Sequence, residues 1–286
     1  MFDVDTEDFE WARIQGVPLR ARLYKPRGRG PFPAMVDAHG GAWITGRYDG
    51  NDPINRPLAQ SGVAVLAVDY RLPPRDTYPA SVADINYAVR WLKANAERCG
   101  TRADLVGTMG TSSGGHLAVL AALKPAEPRY ASVPLEGKAF DARVSCVVTL
   151  WPVICPLTRF RVNKERAARG ENHHAARVGS SPEQMKYWLT EAAMDEGSPM
   201  LALERGDKVE TPDILYVQAI CDRLHPRECM DRFCAAYRKA GGHVEAVLVE
   251  GEPYDAVRTN PQSPHSRAAV KRMSDFILER SHVHSH

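Results

Sequence analysis

The strongest constraint on the fold is a regular alternation of short apolar runs with longer amphipathic segments. The runs at 34–39 and 63–70 are too short for ordinary helices and are bounded by turn-forming residues, which is typical of strands buried on both faces. Residues 82–97 carry apolar side chains at helical spacing instead. Strands that alternate with helices of this length favour right-handed crossovers and a mostly parallel sheet with helices on both faces.

The same alternation continues along most of the chain. Besides a hairpin over 12–24, it predicts strands at 104–109, 144–151, 214–220 and 244–250, and helices around 53–61, 114–123, 226–240 and 264–280. Residues 152–205 interrupt this rhythm, because they are charged, have helical patches such as 182–193 and contain no strand-like run. We therefore expect a single domain over 1–286 with a small helical cap inserted at about 152–205.

Composition excludes several classes of function. With 44% hydrophobic residues, 25% charged residues and a net charge of +2, the chain resembles an average globular protein, and no block of like charges favours nucleic acid. Neither a signal peptide nor an apolar run of membrane-spanning length is present, so we expect a cytoplasmic protein that does not bind membranes. The six cysteines lack paired CxxC spacing, and we predict no metal site and no cofactor. The sequence does not distinguish a monomer from a homodimer.

A glycine-flanked serine follows one predicted strand and opens the next predicted helix. The segment Gly110–Gly114 reads G-T-S-S-G, which is the G-x-S-x-G pattern in its required context. Small neighbours permit the tight strand-to-helix turn that lifts the Ser112 hydroxyl above the sheet, and the Ser113 N–H then faces developing negative charge. The pattern predicts a nucleophile at Ser112, the alternative being a glycine-rich turn without one.

A second glycine pair follows the strand that begins at residue 34. The segment His39–Trp43 reads H-G-G-A-W, and its glycines allow the N–H groups of Gly40 and Gly41 to face the same point as that of Ser113. Such preorganised donors form an oxyanion hole. We expect His39 to be structural, whereas Trp43 either walls the substrate pocket or packs in the core.

Three segments resemble a known family. HGGAW at 39–43, DYRLPPRDTYPASVADINYAVRWL at 69–92 and GTSSGGHLA at 110–118 are similar to hormone-sensitive-lipase-like and feruloyl-esterase-like α/β hydrolases. The resemblance implies an α/β-hydrolase fold and a carboxylesterase or small amidase without a cofactor that uses a Ser-Asp/Glu-His triad. It places the acid at Asp222, directly after the predicted strand 214–220, where the alternative is a surface carboxylate that caps the next helix.

The third triad position departs from the family. The turn 251–255 carries Tyr254 where the family has histidine, and tyrosine, with a pKa near 10, is a poor base at neutral pH. Three interpretations stay open. Another histidine, His225 or His265, has taken over the role; Tyr254 transfers protons in a non-hydrolytic, lyase-like reaction; or the chain is a weakened hydrolase that only binds a ligand.

The predicted cap bears on the substrate without identifying it. Its basic residues Arg159, Arg161 and Lys164 either favour an anionic substrate or form a solvated face. The aromatic residues Trp151, Tyr187 and Trp188 line a pocket or pack in the core. The leading interpretation is a serine hydrolase that cleaves a small carboxylic ester or amide through an acyl-enzyme on Ser112.

Overall fold

The computed structural model describes residues 1–137, 139–170, 181–251 and 253–283. Its strands are β1 (Val4–Ile14), β2 (Val17–Pro26), β3 (Ala34–Ala38), β4 (Ala64–Val68), β5 (Val106–Thr111), β6 (Cys146–Leu150), β7 (Asp213–Ala219) and β8 (Val244–Val249). They form one sheet of eight strands in the order β1-β2-β4-β3-β5-β6-β7-β8. The strand β2 is antiparallel to both of its neighbours, and β4 to β8 pair in parallel, with β3 between β4 and β5.

Helices connect the parallel strands. They are α1 (Asp52–Gln60), α2 (Ala80–Ala94), α3 (Ser113–Leu123), α4 (Pro156–Ala168), α5 (Ser181–Trp188), α6 (Glu191–Glu196), α7 (Pro199–Arg205), α8 (Arg227–Lys239), α9 (Ala256–Thr259) and α10 (Pro264–Val283). Apolar residues of α1 and α10 pack on one face of the sheet, and those of α2, α3 and α8 pack on the other. Within the described ranges, no helix combines the length and the apolar character needed to cross a bilayer.

The central strands are buried on both faces. Every residue of β3 and β4 is buried, and along β4 the side chains alternate between the two cores, with Leu66 in one and Val65 in the other. This explains why these segments read as continuous apolar runs rather than as an alternating pattern. The predicted α/β architecture, a mostly parallel sheet with helices on both faces, is confirmed.

Several predicted boundaries differ from the structure. The strand predicted at 104–109 begins at Val106 and extends to Thr111, because Gly110 and Thr111 still pair with β6 and residues 103–105 form a 3₁₀ turn. The helix predicted at 82–97 is Ala80–Ala94. The apolar pattern located both elements, but local hydrogen bonding sets where each one ends.

The segment between β6 and β7 contains more helix than the sequence indicated. The helix α4 was not predicted; the Cys155 thiol caps it by accepting from the Thr158 N–H, and Pro156 occupies its first turn. The patch predicted at 182–193 divides into α5 and α6, because Thr190 caps a new helix by accepting from the Ala193 N–H at 3.0 Å. Part of the predicted cap, residues 171–180, lies outside the described residues.

Candidate active site

Ser112 lies at a sharp bend between β5 and α3. Its φ of 52° and ψ of −118° are strained for a residue with a side chain, and its N–H donates to the Leu150 carbonyl oxygen at 2.9 Å. The bend requires small neighbours, since a Cβ on Gly114 would lie 2.0 Å from the Ala38 carbonyl oxygen and one on Gly110 would lie 2.6 Å from the Gly114 carbonyl. The structure thus has the predicted strand–serine–helix geometry.

The glycine loop after β3 passes directly beside this bend. Gly41 has a φ of +127°, and a Cβ there would lie 1.9 Å from the Thr45 carbonyl oxygen. The Gly41 carbonyl oxygen accepts from the N–H groups of Ile44 and Thr45 at 3.0 and 3.1 Å, which closes the loop into a tight turn. A Cβ on Gly40 would lie 3.4 Å from the Ser112 Cβ, so the loop passes beside the serine.

Among the described residues, one histidine lies within reach of Ser112. His225 Nε2 lies 3.4 Å from Ser112 Oγ, and His225 Nδ1 lies 2.8 Å from Asp222 Oδ2. Because a carboxylate can only accept a hydrogen bond, His225 Nδ1 carries a proton and its N–H donates a hydrogen bond to Asp222. In the neutral ring this leaves Nε2 as an acceptor that faces the serine hydroxyl. Ser112, His225 and Asp222 therefore form a continuous serine–imidazole–carboxylate chain.

The loop between β7 and α8 is held in shape by hydrogen bonds to its own backbone. Asp222 Oδ1 accepts from the N–H groups of Leu224 and His225 at 2.8 and 3.0 Å. The buried Gln218 side chain, which projects from β7, donates to the His225 carbonyl oxygen at 2.8 Å. These contacts fix both the backbone and the ring of His225 against the end of the sheet.

Burial keeps the His225 ring neutral. The residue is 4% exposed, and removal from water lowers its pKa below the ordinary value of 6.5. The Asp222 carboxylate opposes this shift by favouring the imidazolium, while the Arg159 guanidinium adds to it. A ring with a lowered pKa is unprotonated at neutral pH, which is the state required of a base.

The other two candidate bases, Tyr254 and His265, have different surroundings. Tyr254 follows β8, and its ring lies 5.7 Å from the His225 ring and 6.2 Å from the Trp151 ring, measured between centroids. Burial raises the pKa of Tyr254, so its hydroxyl stays protonated. His265 is exposed on the first turn of α10. In the part of the chain that the structure describes, neither residue forms a hydrogen bond with Ser112.

Trp43 packs in the core and does not line the cavity beside Ser112, so of the two alternatives the pocket-wall one is wrong. The side chain is fully buried, its ring stacks on Tyr187 at 5.8 Å, and its indole N–H donates to His116 Nδ1 at 3.1 Å. Trp188 packs edge-on against the same ring, so α5 covers Trp43. His39, as expected, is structural: its Nδ1–H donates to the Gly40 carbonyl oxygen at 2.8 Å, and burial lowers its pKa to about 4.

A cavity of about 300 Å³ opens beside Ser112. Its wall is formed by the glycine loop, the loop of His225 and the turn of Tyr254, together with three of the described arginines. The arginines are Arg47, Arg159 and Arg258. Wider grooves occur elsewhere, and one of about 760 Å³ lies at the opposite edge of the sheet, near the first residues of β6 and β7, but Ser112 does not line it.

A buried polar network lies behind the elbow. Asp37 of β3 accepts from the side-chain amides of Asn51 and Asn55 at 3.0 and 2.7 Å, and Asn51 Oδ1 accepts from the Thr111 hydroxyl at 3.1 Å. Burial raises the pKa of Asp37 to about 6. Neither this network nor Gln218 was predicted from the sequence, although a polar residue inside an apolar strand, as in AMVDA and ILYVQA, was a usable signal.

Comparisons with known proteins identify a family and several relatives of this chain. Residues 22–211 match the family model described as BD-FAE. The probable carboxylic ester hydrolase LipM of Mycobacterium tuberculosis is 37% identical over 125 residues, which are 43% of this chain and 28% of LipM. The ethyl acetate hydrolase of Pseudomonas putida is 28% identical over 255 residues, or 88% of this chain and 75% of that protein. The alignment thus spans under a third of LipM and most of the Pseudomonas protein.

Solved structures share the whole architecture. A hyperthermophilic esterase from the archaeon Pyrobaculum calidifontis superposes with a TM-score of 0.77 and 26% sequence identity, covering 97% of this chain and 86% of that chain. Carboxyl esterase 2 of the fungus Tuber melanosporum gives a TM-score of 0.74 at 22% identity, covering 98% of this chain and 87% of that chain, a likeness that concerns the fold.

Proposed function

The chain belongs to the BD-FAE family and has the α/β-hydrolase fold, and from this premise we propose that it hydrolyses small carboxylic esters through an acyl-enzyme on Ser112. His225 serves as the base and Asp222 as the carboxylate that orients it. One observation carries the proposal: a single imidazole lies 3.4 Å from the serine hydroxyl on one side and is hydrogen-bonded to a buried carboxylate on the other.

The first step is attack of Ser112 Oγ on the ester carbonyl. His225 Nε2 accepts the hydroxyl proton as the new C–O bond forms, and Asp222 stabilises the resulting imidazolium. A separation of 3.4 Å is at the long end of hydrogen bonding, and such catalytic contacts tighten when substrate binds. Proton transfer by a positioned group contributes about 10²–10⁴-fold to the rate.

The developing oxyanion lies toward the glycine loop. The N–H groups of Gly40, Gly41 and Ser113 are the proposed donors, because the loop touches the elbow and Ser113 opens α3, where helix N–H groups have no partner within the helix. Loss of one such donor costs about 2.7–4 kcal/mol of transition-state stabilisation in well-studied serine hydrolases.

Breakdown of the intermediate uses the same imidazole in reverse. Protonated His225 gives its proton to the departing alkoxide, which leaves as the alcohol, and the acyl group stays on Ser112. His225 then takes a proton from water, which attacks the acyl-enzyme and releases the carboxylic acid with Ser112 regenerated. His225 returns each proton that it accepts, so the catalytic cycle needs no cofactor.

The rival interpretations lack a supporting observation. The lyase-like alternative requires Tyr254 at the reacting centre as a proton acceptor, whereas burial favours its protonated form. Relatives named as ester hydrolases, including the ethyl acetate hydrolase, support an ester over an amide substrate. The intact serine–imidazole–carboxylate geometry supports an active enzyme rather than a binding protein.

Steady-state kinetics with ethyl acetate and p-nitrophenyl butyrate test this proposal. We expect S112A and H225Q each to lower kcat by about 10³-fold or more, since members of such a triad act as a unit. The matched control is H265Q, which removes an exposed histidine and should leave turnover unchanged. Turnover that survives S112A and H225Q but is abolished by Y254F would overturn the proposal in favour of the tyrosine-dependent reaction.

A further inference from the structure

The buried polar network behind the elbow joins the two chain segments that carry the proposed catalytic groups. Asp37 lies on β3, which leads into the glycine loop, and Thr111 ends β5, which leads into Ser112. Asn51, the residue before α1, is hydrogen-bonded to both of them. We propose that Asn51 is a positioning residue, which through this bridge sets the separation between the Ser112 hydroxyl and the N–H groups of the glycine loop. This inference rests on the proposed function, and the test below separates the two.

The charge of Asp37 fixes the direction of the hydrogen bonds in this bridge. Burial raises the pKa of Asp37 to about 6, so its carboxyl group is ionised at neutral pH and can only accept. The Asn51 amide therefore presents its NH₂ group to Asp37, with Nδ2 at 3.0 Å from Oδ1 and 3.2 Å from Oδ2. This turns the Asn51 oxygen toward the Thr111 hydroxyl, which donates to it at 3.1 Å. An amide in the opposite orientation would lose both contacts.

Asn51 is the N-cap residue of α1, but its side chain does not have the usual role of that position. A capping asparagine side chain accepts from an N–H group of the first helical turn. Within the described residues the Asn51 side chain makes no such contact, and its backbone carbonyl oxygen accepts from two N–H groups of α1 at 2.9 Å instead. The residue is 1% exposed, and both polar atoms of its side chain are engaged by Asp37 and Thr111. Asn51 thus acts through these neighbours, although it lines the cavity beside Ser112.

Thr111 lies where the glycine loop passes the elbow. A Cβ on Gly40 would lie 3.2 Å from both the carbonyl oxygen and the hydroxyl oxygen of Thr111, and 3.4 Å from the Ser112 Cβ. The strained backbone of Ser112, with a φ of 52°, directly follows Thr111, and such strain persists only where surrounding contacts hold it. The hydrogen bond from Thr111 to Asn51 is one of these contacts. Its loss matters for chemistry, since a shift of about 1 Å between reacting groups is enough to lower a rate about 10²-fold.

An exchange of two side chains should preserve the bridge. In N51D two carboxylates face each other, and the NH₂ group that joined them is lost. In the double variant D37N/N51D the amide and the carboxylate change places. The NH₂ group at position 37 then donates to position 51, the oxygen at position 37 still accepts from Asn55, and the carboxylate at position 51 still accepts from the Thr111 hydroxyl. We therefore expect the second substitution to rescue the first.

Asn86 provides the matched control. It is also a buried asparagine, on α2, where its Nδ2 donates to the Pro125 carbonyl oxygen at 2.8 Å and its Oδ1 accepts from Arg90 at 2.9 Å. Asn86 does not line the cavity beside Ser112. N86A therefore removes a buried amide of the same kind and reports the effect of lost stability alone.

The test measures kcat and KM for p-nitrophenyl butyrate, and the Ki of butyl trifluoromethyl ketone, which forms a tetrahedral oxyanion adduct with an activated serine. We expect N51D to lower kcat about 10²-fold and to weaken the ketone by a similar factor, with KM changed less than about 3-fold, because misalignment affects the transition state rather than substrate binding. T111V removes one neutral hydrogen bond and should lower kcat about 10-fold. D37N/N51D should recover most of both losses, and N86A should keep the wild-type kcat and Ki although it is less stable.

Thermal unfolding shows which variants fold, and T111V and the double variant decide the matter if N51D does not. A folded N51D or T111V with wild-type kcat and Ki, in a protein whose turnover is lost in S112A, overturns the positioning role and leaves the esterase proposal standing. A folded double variant as slow as N51D overturns the bridge, and a rise in KM with unchanged kcat overturns it in favour of direct substrate contact. If the wild-type protein cleaves no ester and no phosphonate labels Ser112, the esterase proposal fails and this inference fails with it.

Discussion

His225 and Asp222 lie three residues apart in one loop, and the His225 ring turns back so that its Nδ1 donates to Asp222 Oδ2 at 2.8 Å. The resemblance to known hydrolases predicts the imidazole after β8, and at that position this chain has Tyr254. In this chain a single loop after β7 thus supplies both the carboxylate and the imidazole beside Ser112. Their mutual geometry depends on that one loop and on its contact with β7.

Replacement of Asp222 by asparagine should distinguish two roles of this side chain, which holds the loop backbone and also sets the tautomer and charge of His225. In D222N the side-chain oxygen can still accept from the two backbone N–H groups, but the amide can present its NH₂ group to His225 Nδ1 and favour the wrong tautomer. We expect kcat to fall about 10³–10⁴-fold with a small change in KM, measured with p-nitrophenyl butyrate. A D222N protein with wild-type kcat would show that Asp222 serves only the loop.

The pH dependence of kcat/KM should report His225. The base must be unprotonated, and burial lowers the pKa of His225 below 6.5, so activity should rise through an acidic limb below that value and be flat above it. In R159M the limb should move to higher pH, because the Arg159 charge is one cause of the lowering. An acidic limb well above pH 7 in the wild-type protein would contradict a buried, neutral His225.

The same shift has a consequence for stability. A histidine whose pKa is lower in the folded protein binds protons more readily when the chain unfolds, so the free energy of unfolding should fall as the pH drops from about 6.5 toward the folded pKa. H225Q should remove this part of the pH dependence. Urea unfolding of the wild-type protein and H225Q at pH 7.5 and at pH 5.5 measures this difference. An equal pH dependence of the free energy of unfolding in the two proteins would contradict a lowered pKa of His225.

Tyr254 should matter for packing more than for proton transfer. Its ring contacts the His225 and Trp151 rings, and these contacts survive in Y254F. We expect Y254F to lower kcat less than about 10-fold, whereas Y254A, which removes the ring, should lower it further by loosening His225. Equal losses in the two variants, each as large as in H225Q, would assign the chemistry to the hydroxyl.

The glycine loop should not tolerate a side chain at Gly41. A Cβ there would lie 1.9 Å from the Thr45 carbonyl oxygen at a φ of +127°, whereas one on Gly40 would meet atoms no closer than 3.2 Å. We expect G41A to lose activity and roughly 1–3 kcal/mol of stability, and G40A to lose less stability. Thermal unfolding of the two variants compares them, and a G41A protein as stable as G40A would refute this geometry.

Local sequence patterns were sufficient to predict the bend at Ser112 and the glycine loop beside it. The elbow at Ser112 and the loop of Gly40 and Gly41 depend on steric demands that short motifs express directly, and buried parallel strands leave continuous apolar runs. Strand ends were less certain. The strand predicted to stop at residue 109 continues to Thr111, since pairing with β6 rather than residue type decides its length.

The base and the position of Trp43 could not be predicted with the same certainty. A spacing of three residues does not tell whether the His225 ring faces Ser112, because that depends on the hydrogen bonds of Asp222 and Gln218 to the loop. The burial of Trp43 depends on α5, which packs over it from a segment without strong periodicity. Both features are set by contacts between distant parts of the chain.

Covalent labelling of Ser112 by a fluorophosphonate tests most directly whether His225 activates this serine. Labelling is followed by intact mass, and the modified peptide is identified in the wild-type protein, S112A, H225Q and H265Q at pH 7.5. We expect one label per chain on Ser112, none in S112A, an unchanged rate in H265Q and a rate lowered about 10²-fold or more in H225Q. Equal rates in the wild-type protein and H225Q, or a label on another residue, would contradict a serine activated by His225.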